Sequence, residues 1–377
     1  MRNLPCLCVS CLLATQCAAA PAAEARVPTV VWDRNSAVTV DPYGVYPRMA
    51  RTARGDILCA FDAQGKTWVR RSVDDGRTWG ARVLAASCDH GAATNGELLV
   101  LPGGRILLPY NERPNDGIHP FAIRLAASDD DGNTWRDCGE VYRAGAEFEN
   151  GCWEPAAVAL PSGEIQLFFA NEGPYRATSE QEITLLRSGD RGTTWTPPAT
   201  VSFRKGCRDG MPVPLVLAGG KGIVIAIEDN GLGGAFKPAI VHTPASQNWY
   251  GEPAGGASPR RRGALRHPLP PEVYAGAPYI RQMPGGETVL SCQSDEGGRA
   301  RPQMVVYVGD AAARNFDGRS VPFEQPPDKG AYWGSLFVKD AATVTAVASL
   351  RGGGVRAIDG RLGETPCEAC ARGKGTR

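Results

Sequence analysis

The sequence predicts an all-β protein, and three observations lead to that prediction. The 377-residue chain contains 46 glycines and 30 prolines, residues that mark turns, so its connections should be short and numerous. Apolar runs such as 164–170 and 222–228 have the length of strands, and no long segment repeats its apolar residues at helical spacing. A short strand-and-turn motif also recurs three times along the chain.

The repeated motif reads Ser-x-Asp-x-Gly-x-Thr-Trp and begins at Ser72, Ser128 and Ser188. Its Asp can accept hydrogen bonds from backbone N–H groups in a tight turn, and its Gly can adopt a positive φ. These aspartates are therefore expected to be structural. The motif resembles the Asp-box of the sialidase superfamily. Dividing residues 23–377 by a spacing of ~58 gives six units, which predicts a six-bladed β-propeller of four-stranded antiparallel blades.

The two ends of the chain differ in composition from the middle. Residues 1–22 combine Arg2, an apolar run and small residues suited to cleavage, which predicts a signal peptide and a secreted or periplasmic protein. Residues 23–362 form the predicted propeller, with the strand at 27–32 pairing with the last strand to close the ring. Residues 363–377 are rich in Gly, Lys and Arg, and we expect them to be disordered.

Charge and cysteine content narrow the choice of partners. With 41 basic and 40 acidic residues, the chain has a net charge of only +1, which argues against nucleic acid as the main partner because its phosphates need many positive charges to neutralise them. No segment after the leader is long and apolar enough to span a membrane. Cys367 and Cys370 form a lone CxxC without a second ligand pair, and the eight cysteines after the leader could pair as disulfides in several ways. We expect a monomer without metal or cofactor that acts on an oligo- or polysaccharide.

Polar residues beside short apolar strands are the candidates for a site on the propeller axis. Arg48, Arg208 and Arg281 each precede a strand in a different predicted blade, and a guanidinium can bind a carboxylate with two parallel hydrogen bonds. Glu172 and Glu228 each end an apolar strand, where a carboxylate is costly unless it is paired or functional.

Several ordered motifs together resemble the exo-arabinanase family over about residues 46–348. They are 153–155, 169–172, 208–211 with the strand ending at 228, 279–281 with 288–293, and 335–340. This resemblance implies a retaining glycoside hydrolase with Glu172 as nucleophile and Glu228 as acid/base, the two carboxyl groups that such a mechanism needs. The predicted substrate-binding residues are Arg48, Asp62, Trp153, Glu154, Arg208, Asp209, Tyr279, Arg281, Gln293 and Tyr332.

Two alternatives stay open on the sequence. In an exo-α-sialidase, Tyr332 would be the nucleophile, Asp62 or Asp89 the acid, and the three arginines a carboxylate clamp. The first arginine motif, Tyr-Pro-Arg-Met at 46–49, departs from the Arg-Ile-Pro usual in sialidases. The other alternative is a propeller that binds sugars without catalysis, because a fold by itself does not fix an activity.

Overall fold

The computed structural model describes residues 26–366, and the predicted signal peptide lies outside the described residues. This part of the chain forms six antiparallel sheets arranged as the blades of a propeller, as the sequence predicts. In chain order, the strands before the first complete blade are β1 (Arg26–Trp32) and β2 (Val38–Asp41). Four 3-10 turns, Arg34–Ser36, Phe148–Asn150, Ala218–Gly220 and Asn230–Leu232, are the helical elements among the described residues.

Each blade runs outward from an inner strand beside the axis. Blade 1 contains β3 (Val45–Arg51), β4 (Ile57–Ala63), β5 (Lys66–Ser72) and β6 (Val83–Ala86). Blade 2 contains β7 (Gly91–Thr94) and β8 (Leu99–Val100) as a divided inner strand, then β9 (Ile106–Pro114), β10 (Ala122–Ser128) and β11 (Arg136–Arg143). Blade 3 contains β12 (Cys152–Ala159), β13 (Ile165–Asn171), β14 (Glu182–Ser188) and β15 (Ala199–Ser202).

The second half of the propeller repeats this order. Blade 4 contains β16 (Asp209–Val216), β17 (Ile223–Asp229), β18 (Lys237–Thr243) and β19 (Arg261–Gly263). Blade 5 contains β20 (Ala275–Gln282), β21 (Thr288–Ser294), β22 (Gln303–Gly309) and β23 (Asp317–Ser320). Blade 6 contains β24 (Ala331–Val338), β25 (Thr343–Leu350) and β26 (Gly354–Pro366), with β1 as its outer strand and β2 also paired to β26.

The ring closes as predicted, because β1 from the start of the chain pairs antiparallel with β26 from its end. The register runs from Val27 opposite Thr365 to Trp32 opposite Gly360. This pairing carries β26 four residues past the boundary expected at residue 362. Residues 363–366, expected to be disordered, are therefore strand, and residues 367–377 lie outside the described residues.

The three repeated motifs form one kind of turn between the third and fourth strands of blades 1 to 3. In the first, Asp74 Oδ1 accepts from Thr78 N at 2.9 Å and Asp74 Oδ2 accepts from the Thr78 hydroxyl at 2.6 Å. The Ser72 hydroxyl accepts from Gly76 N, which has φ 88°. The same bonds recur around Asp130 and Asp190. The structural role predicted for these aspartates is confirmed.

Later blades show how this turn has diverged. In blade 5, Asp310 Oδ1 still accepts from Arg314 N, four residues on, at 3.0 Å, although the rest of the motif is absent. In blade 4, Asn248 and Trp249 lie between the third and fourth strands and both have a positive φ, as expected of a diverged copy of the motif. Tyr332 and Trp333, another aromatic pair late in the chain, belong to no such turn, because both lie on the inner strand β24.

Apolar side chains fill the spaces between adjacent sheets, and Phe168 and Phe169 are among the largest fully buried ones. The six cysteines that the structure describes are all unpaired: Cys59, Cys88, Cys138, Cys152, Cys207 and Cys292. Nowhere in residues 26–366 does the fold contain a helix that is both long and apolar enough to cross a membrane.

Candidate active site

An irregularity near the start of the inner strand recurs in every blade. In five blades the register with the second strand shifts there, as in a β-bulge. At each such point, and just after β7 in blade 2, one residue other than glycine has a positive φ of 47–56°. These six bulge residues are Tyr46, Asn95, Glu154, Met211, Ala277 and Trp333. Because the inner strands surround the axis, the bulges form a ring at one end of the propeller.

The bulge residues are tied to the preceding blade by side chains of the second strands. The second strand of each blade has one position that faces the bulge of the next blade. At five of the six junctions between blades, the side chain at this position accepts a hydrogen bond from the backbone N–H of that bulge residue. We call these acceptors latch residues. The bonds join Asp62 to Asn95 N (2.8 Å), Asn111 to Glu154 N (2.8 Å), Glu228 to Ala277 N (2.8 Å), Gln293 to Trp333 N (2.9 Å) and Ser349 to Tyr46 N (2.9 Å). At the sixth junction, between blades 3 and 4, the equivalent residue is Ala170, whose side chain has no acceptor.

Glu228 is the latch residue of blade 4, and it is held in a narrow space. Its Oε2 accepts the Ala277 N–H, and a Cβ added at Gly276 would lie 2.5 Å from that oxygen. A Cβ added at Gly210 would lie 2.9 Å from Oε1. Burial raises the pKa of Glu228, although the Ala277 N–H and the charge of Arg208 oppose this. The side chain remains partly exposed, so it can still meet a ligand on the axis.

Glu154 is the bulge residue of blade 3 and stands near Glu228. Burial and then the charge of Glu228 raise the pKa of Glu154 to about 8, against the opposing charge of Arg113. Glu154 is also partly exposed. Two carboxyl groups that interact in this way titrate together, and the raised pKa of Glu154 favours one proton on the pair near neutral pH.

Glu172 lies at the end of β13, next to the junction that lacks a latch. Its Oε1 is ion-paired with Arg208 and accepts from Gln181 Nε2 at 3.0 Å. Its side chain is only 5% exposed. Burial raises the pKa of Glu172, while Arg208 favours the ionised form. Glu172 is thus already an ion-paired carboxylate with little access to the axis.

The other two predicted arginines meet around one tyrosine. Arg48 is 3% exposed, forms an ion pair with Glu97 at 3.3 Å, and lies between the rings of Tyr46 and Tyr279. Arg281 lies over the same Tyr279 ring at 4.3 Å and donates to its hydroxyl. The Tyr279 hydroxyl also lies 3.3 Å from both Glu97 oxygens. Arg48 and Arg208 are therefore each paired with a carboxylate of this chain.

Two other predicted residues have structural partners. Asp209 is fully buried and forms an ion pair with Arg261 inside blade 4. Asp62 is a latch residue, and burial raises its pKa to about 7 despite the bonds from Asn95 N and the Thr67 hydroxyl.

The inner strands β12 and β24 each place a tryptophan at the ring of bulges. Trp153 is only 5% exposed and packs against Phe121, Phe148 and the guanidinium of Arg113, which lies 4.9 Å from its ring. Little of the Trp153 ring is therefore free to contact a sugar, which is the role that the sequence predicts for it. Trp333, a bulge residue, is 39% exposed and is the more accessible ring.

The latch residue Gln293 and Tyr332 lie on the opposite side of Glu228 from Trp153. Gln293 Nε2 donates to the Tyr274 hydroxyl at 2.8 Å, while its Oε1 forms the latch. Tyr332 directly precedes the bulge of blade 6, 5.7 Å from the Trp333 ring. Burial and the neighbouring Glu228 raise the pKa of Tyr274 above its usual range, so this phenol stays protonated beside the carboxyl pair.

Sequence reasoning missed four residues of this site: Glu97, Arg113, Gln181 and Tyr274. Glu97 balances Arg48, Arg113 acts on Glu154, Gln181 binds Glu172 and Tyr274 lies beside Glu228. Glu97, Gln181 and Tyr274 lie outside the regular strands, and Arg113 lies near the end of β9, a strand that does not end in an apolar run. No signal based on strand ends could have selected them.

Comparisons with known proteins support the fold. No family model matches the chain, and no curated protein matches its sequence. Among solved structures, an α-L-arabinofuranosidase of Fusarium graminearum in complex with an iminosugar inhibitor is similar, with a TM-score of 0.67 and 20% identity over 89% of this chain and 97% of that one. The chain has the sialidase-type six-bladed propeller fold. An α-L-arabinanase of Penicillium chrysogenum complexed with arabinobiose gives 0.66 and 19%, covering 88% and 98% of the two chains. A Hadza microbial sialidase gives 0.59 and 15%, covering 88% and 67%.

Proposed function

We propose that this protein is an exported, exo-acting retaining glycoside hydrolase that releases arabinose-containing units from a polysaccharide. The observation that carries the proposal is the coupled pair Glu154 and Glu228, two partly exposed carboxyl groups on the propeller axis. A retaining hydrolase needs one protonated and one ionised carboxyl group beside the scissile bond, and a pair that keeps a single proton supplies both.

Glu228 is proposed as the acid/base, in keeping with the family resemblance, and Glu154 is favoured over Glu172 as the nucleophile. A nucleophile must reach the anomeric carbon. Glu172 is almost fully buried, and its Oε1 is bound by Arg208 and Gln181. Glu154 is partly exposed and interacts with Glu228. In this proposal the single proton of the pair lies on Glu228 when substrate binds, which removes the charge that raises the pKa of Glu154 and leaves Glu154 ionised for attack. In this proposal Glu172 and Arg208 form an ion pair that positions the site.

The arginines favour a neutral sugar over a sialic acid. A carboxylate clamp needs guanidinium groups that are free to bind the substrate, but Arg48 is paired with Glu97 and Arg208 with Glu172. A sialidase also needs a glutamate beside its nucleophilic tyrosine. Within residues 26–366, the tyrosine bonded to a glutamate near Arg48 is Tyr279, which is fully buried, whereas Tyr332 has no such bond. The arabinanase and arabinofuranosidase with the same fold support arabinose as the sugar.

Two chromogenic substrates test the substrate class. Protein beginning at residue 23 is incubated with an aryl arabinobioside and an aryl sialoside, and release of the aryl group is followed. Release from the arabinobioside with net retention at the anomeric carbon, read by NMR, is expected. Release from the sialoside alone would refute the arabinose proposal, and silence on both would favour a binding propeller or another sugar.

Variants test the roles of the carboxyl groups. Glu154→Gln and Glu228→Gln should each lower kcat by about 100-fold or more, the usual contribution of an acid or base. Glu172→Gln should cost much less. The matched control is Glu164→Gln, because Glu164 lies at the opposite end of β13 and pairs with Arg187 at 2.6 Å, as Glu172 pairs with Arg208. Rescue of Glu172→Ala by azide with inversion, and no rescue of Glu154→Ala, would assign the nucleophile to Glu172 instead.

A further inference from the structure

A cluster of two histidines and an aspartate lies on blade 2, outside the carboxylate site. His90 directly precedes β7, while Asp116 and His119 belong to the loop that joins β9 to β10. Their potential ligand atoms all lie within 4.8 Å of one another. We propose that His90, Asp116 and His119 bind one divalent transition-metal ion of the zinc type.

Asp116 is fixed so that one of its oxygens faces both imidazoles. Its Oδ1 accepts from Ile118 N at 2.9 Å and from His119 N at 3.0 Å. Its Oδ2 lies 2.6 Å from His119 Nδ1 and 3.9 Å from His90 Nδ1. The two backbone N–H groups therefore hold the carboxylate in place, with Oδ2 directed at the imidazole nitrogens.

The two imidazole rings are stacked face to face. The ring centroids of His90 and His119 are 3.5 Å apart and the planes differ by 9°. Two imidazole nitrogens and one carboxylate oxygen are a donor set that suits Zn²⁺. The His90 and His119 side chains are 49% and 44% exposed, so water can fill the remaining coordination positions.

Strand pairing brings the three ligands together from two separate segments. Gly91 pairs with Pro114, and Asn115 N donates to the His90 carbonyl oxygen at 3.0 Å. A Cβ at position 91 would lie 2.8 Å from the Pro114 Cα, so the close approach of the segments requires glycine. Because a backbone ladder fixes the positions of the ligand residues, binding requires no backbone movement, and one of the two half-exposed imidazoles rotates out of the stack to bring its nitrogen to the ion.

The site adjoins the candidate active site through one residue. Pro114 follows Arg113, whose guanidinium lies over the Trp153 ring and acts on the charge of Glu154. A bound ion would therefore tie the β9–β10 loop to the start of β7 beside the substrate-binding face. The metal is proposed to stabilise this rim, and the proposal does not depend on the hydrolase activity.

Calorimetric titration with Zn²⁺ tests the proposal on protein purified without a polyhistidine tag. One ion per chain is expected. His90→Gln and His119→Gln should abolish this binding, and Asp116→Asn should weaken it at least about tenfold, a loss seen even when groups outside the ligand set are changed. The matched control is the double variant His242→Gln/His267→Gln, which removes the other two histidines of the chain and should bind like the wild type.

Two further readouts separate this site from zinc bound at the free thiols. The Co²⁺ complex should lack the intense thiolate charge-transfer band of a cysteine site, and Cys88→Ala should bind with unchanged stoichiometry. Melting temperatures of the metal-free variants show whether each is folded. The proposal is overturned if wild-type protein binds no Zn²⁺ at one equivalent, if His119→Gln binds normally, or if the control double variant loses binding.

Discussion

Arg261 should be one of the most costly residues to remove, because it neutralises two fully buried carboxylates inside blade 4. Its guanidinium is 1% exposed and donates to Asp229 Oδ2 at 2.7 Å, to Asp209 Oδ1 at 2.8 Å and to the Ser202 hydroxyl at 2.6 Å. Both aspartates are 0% exposed. Arg261→Met keeps the apolar stem of the side chain and leaves the two carboxylates without this cation.

The size of the effect follows from that burial. Removing one partner of a buried ion pair typically costs about 3–5 kcal/mol. In a domain of this size, that loss should lower the melting temperature by roughly 4–7 °C. The comparison variant is Arg34→Met, whose partner Glu324 is 79% exposed, and there we expect a loss of at most about 1 kcal/mol. Urea unfolding of both variants measures the difference directly.

The result also decides the role of Asp209, which the sequence predicts to bind substrate. If Asp209 is structural, Asp209→Asn should lower stability while leaving KM of the folded enzyme near the wild-type value. Neutralising both aspartates should restore much of the stability lost in Arg261→Met. The reasoning fails if Arg261→Met costs no more than Arg34→Met, or if Asp209→Asn raises KM several-fold without a change in melting temperature.

Three further predictions concern other parts of the ring. Burial tends to raise the pKa of Asp41, but hydrogen bonds from arginine and from a backbone N–H outweigh it and hold the pKa below 3.8. The stability lost in Asp41→Asn should therefore be full above about pH 4 and shrink as the pH falls through the pKa that Asp41 has in the folded protein. Gly132 and Gly76 share φ near 90°, but only at Gly132 would a Cβ meet a buried leucine, at 2.6 Å. Gly132→Ala should therefore be less stable than Gly76→Ala by about 1–3 kcal/mol in thermal unfolding. Gly276→Ala should displace Glu228 and lower kcat at least about tenfold with little change in melting temperature, and unchanged kcat would contradict the narrow packing described above.

The sequence predicts best what short-range chemistry controls. Each repeated turn is specified by a Ser, an Asp, a Gly and a Thr within seven residues, and hydrogen bonds such as that from Thr78 N to Asp74 confirm it. The blade number follows from the spacing of those turns, and ring closure follows from the strand predicted at 27–32. Asp310 was missed because only one residue of the motif survives there. The bulge ring could not be predicted, since its six residues share no side-chain chemistry.

Long-range pairing explains the rest of the disagreement at the site. Arg48 and Arg208 look alike in sequence as polar residues ahead of strands, but each meets a carboxylate from a different part of the chain. Glu97 is 49 positions from Arg48 and Glu172 is 36 positions from Arg208. The burial of each side chain in the folded protein then determines which polar groups remain free to bind a ligand. No pattern within one strand contains that information.

The latch positions show how a backbone arrangement repeated in every blade can carry a reactive side chain in one blade only. The same register position carries Asp62, Asn111, Gln293 or Ser349 at four junctions, where one oxygen holds the next blade. Only blade 4 places there a glutamate coupled to a second glutamate, and the junction before it has alanine instead of a latch. Glu228 therefore holds its position by the bond that the other blades use for structure, while its remaining oxygen is free for chemistry. This arrangement orients the proposed acid/base through the backbone of the neighbouring blade, which a mobile side chain on a loop could not achieve.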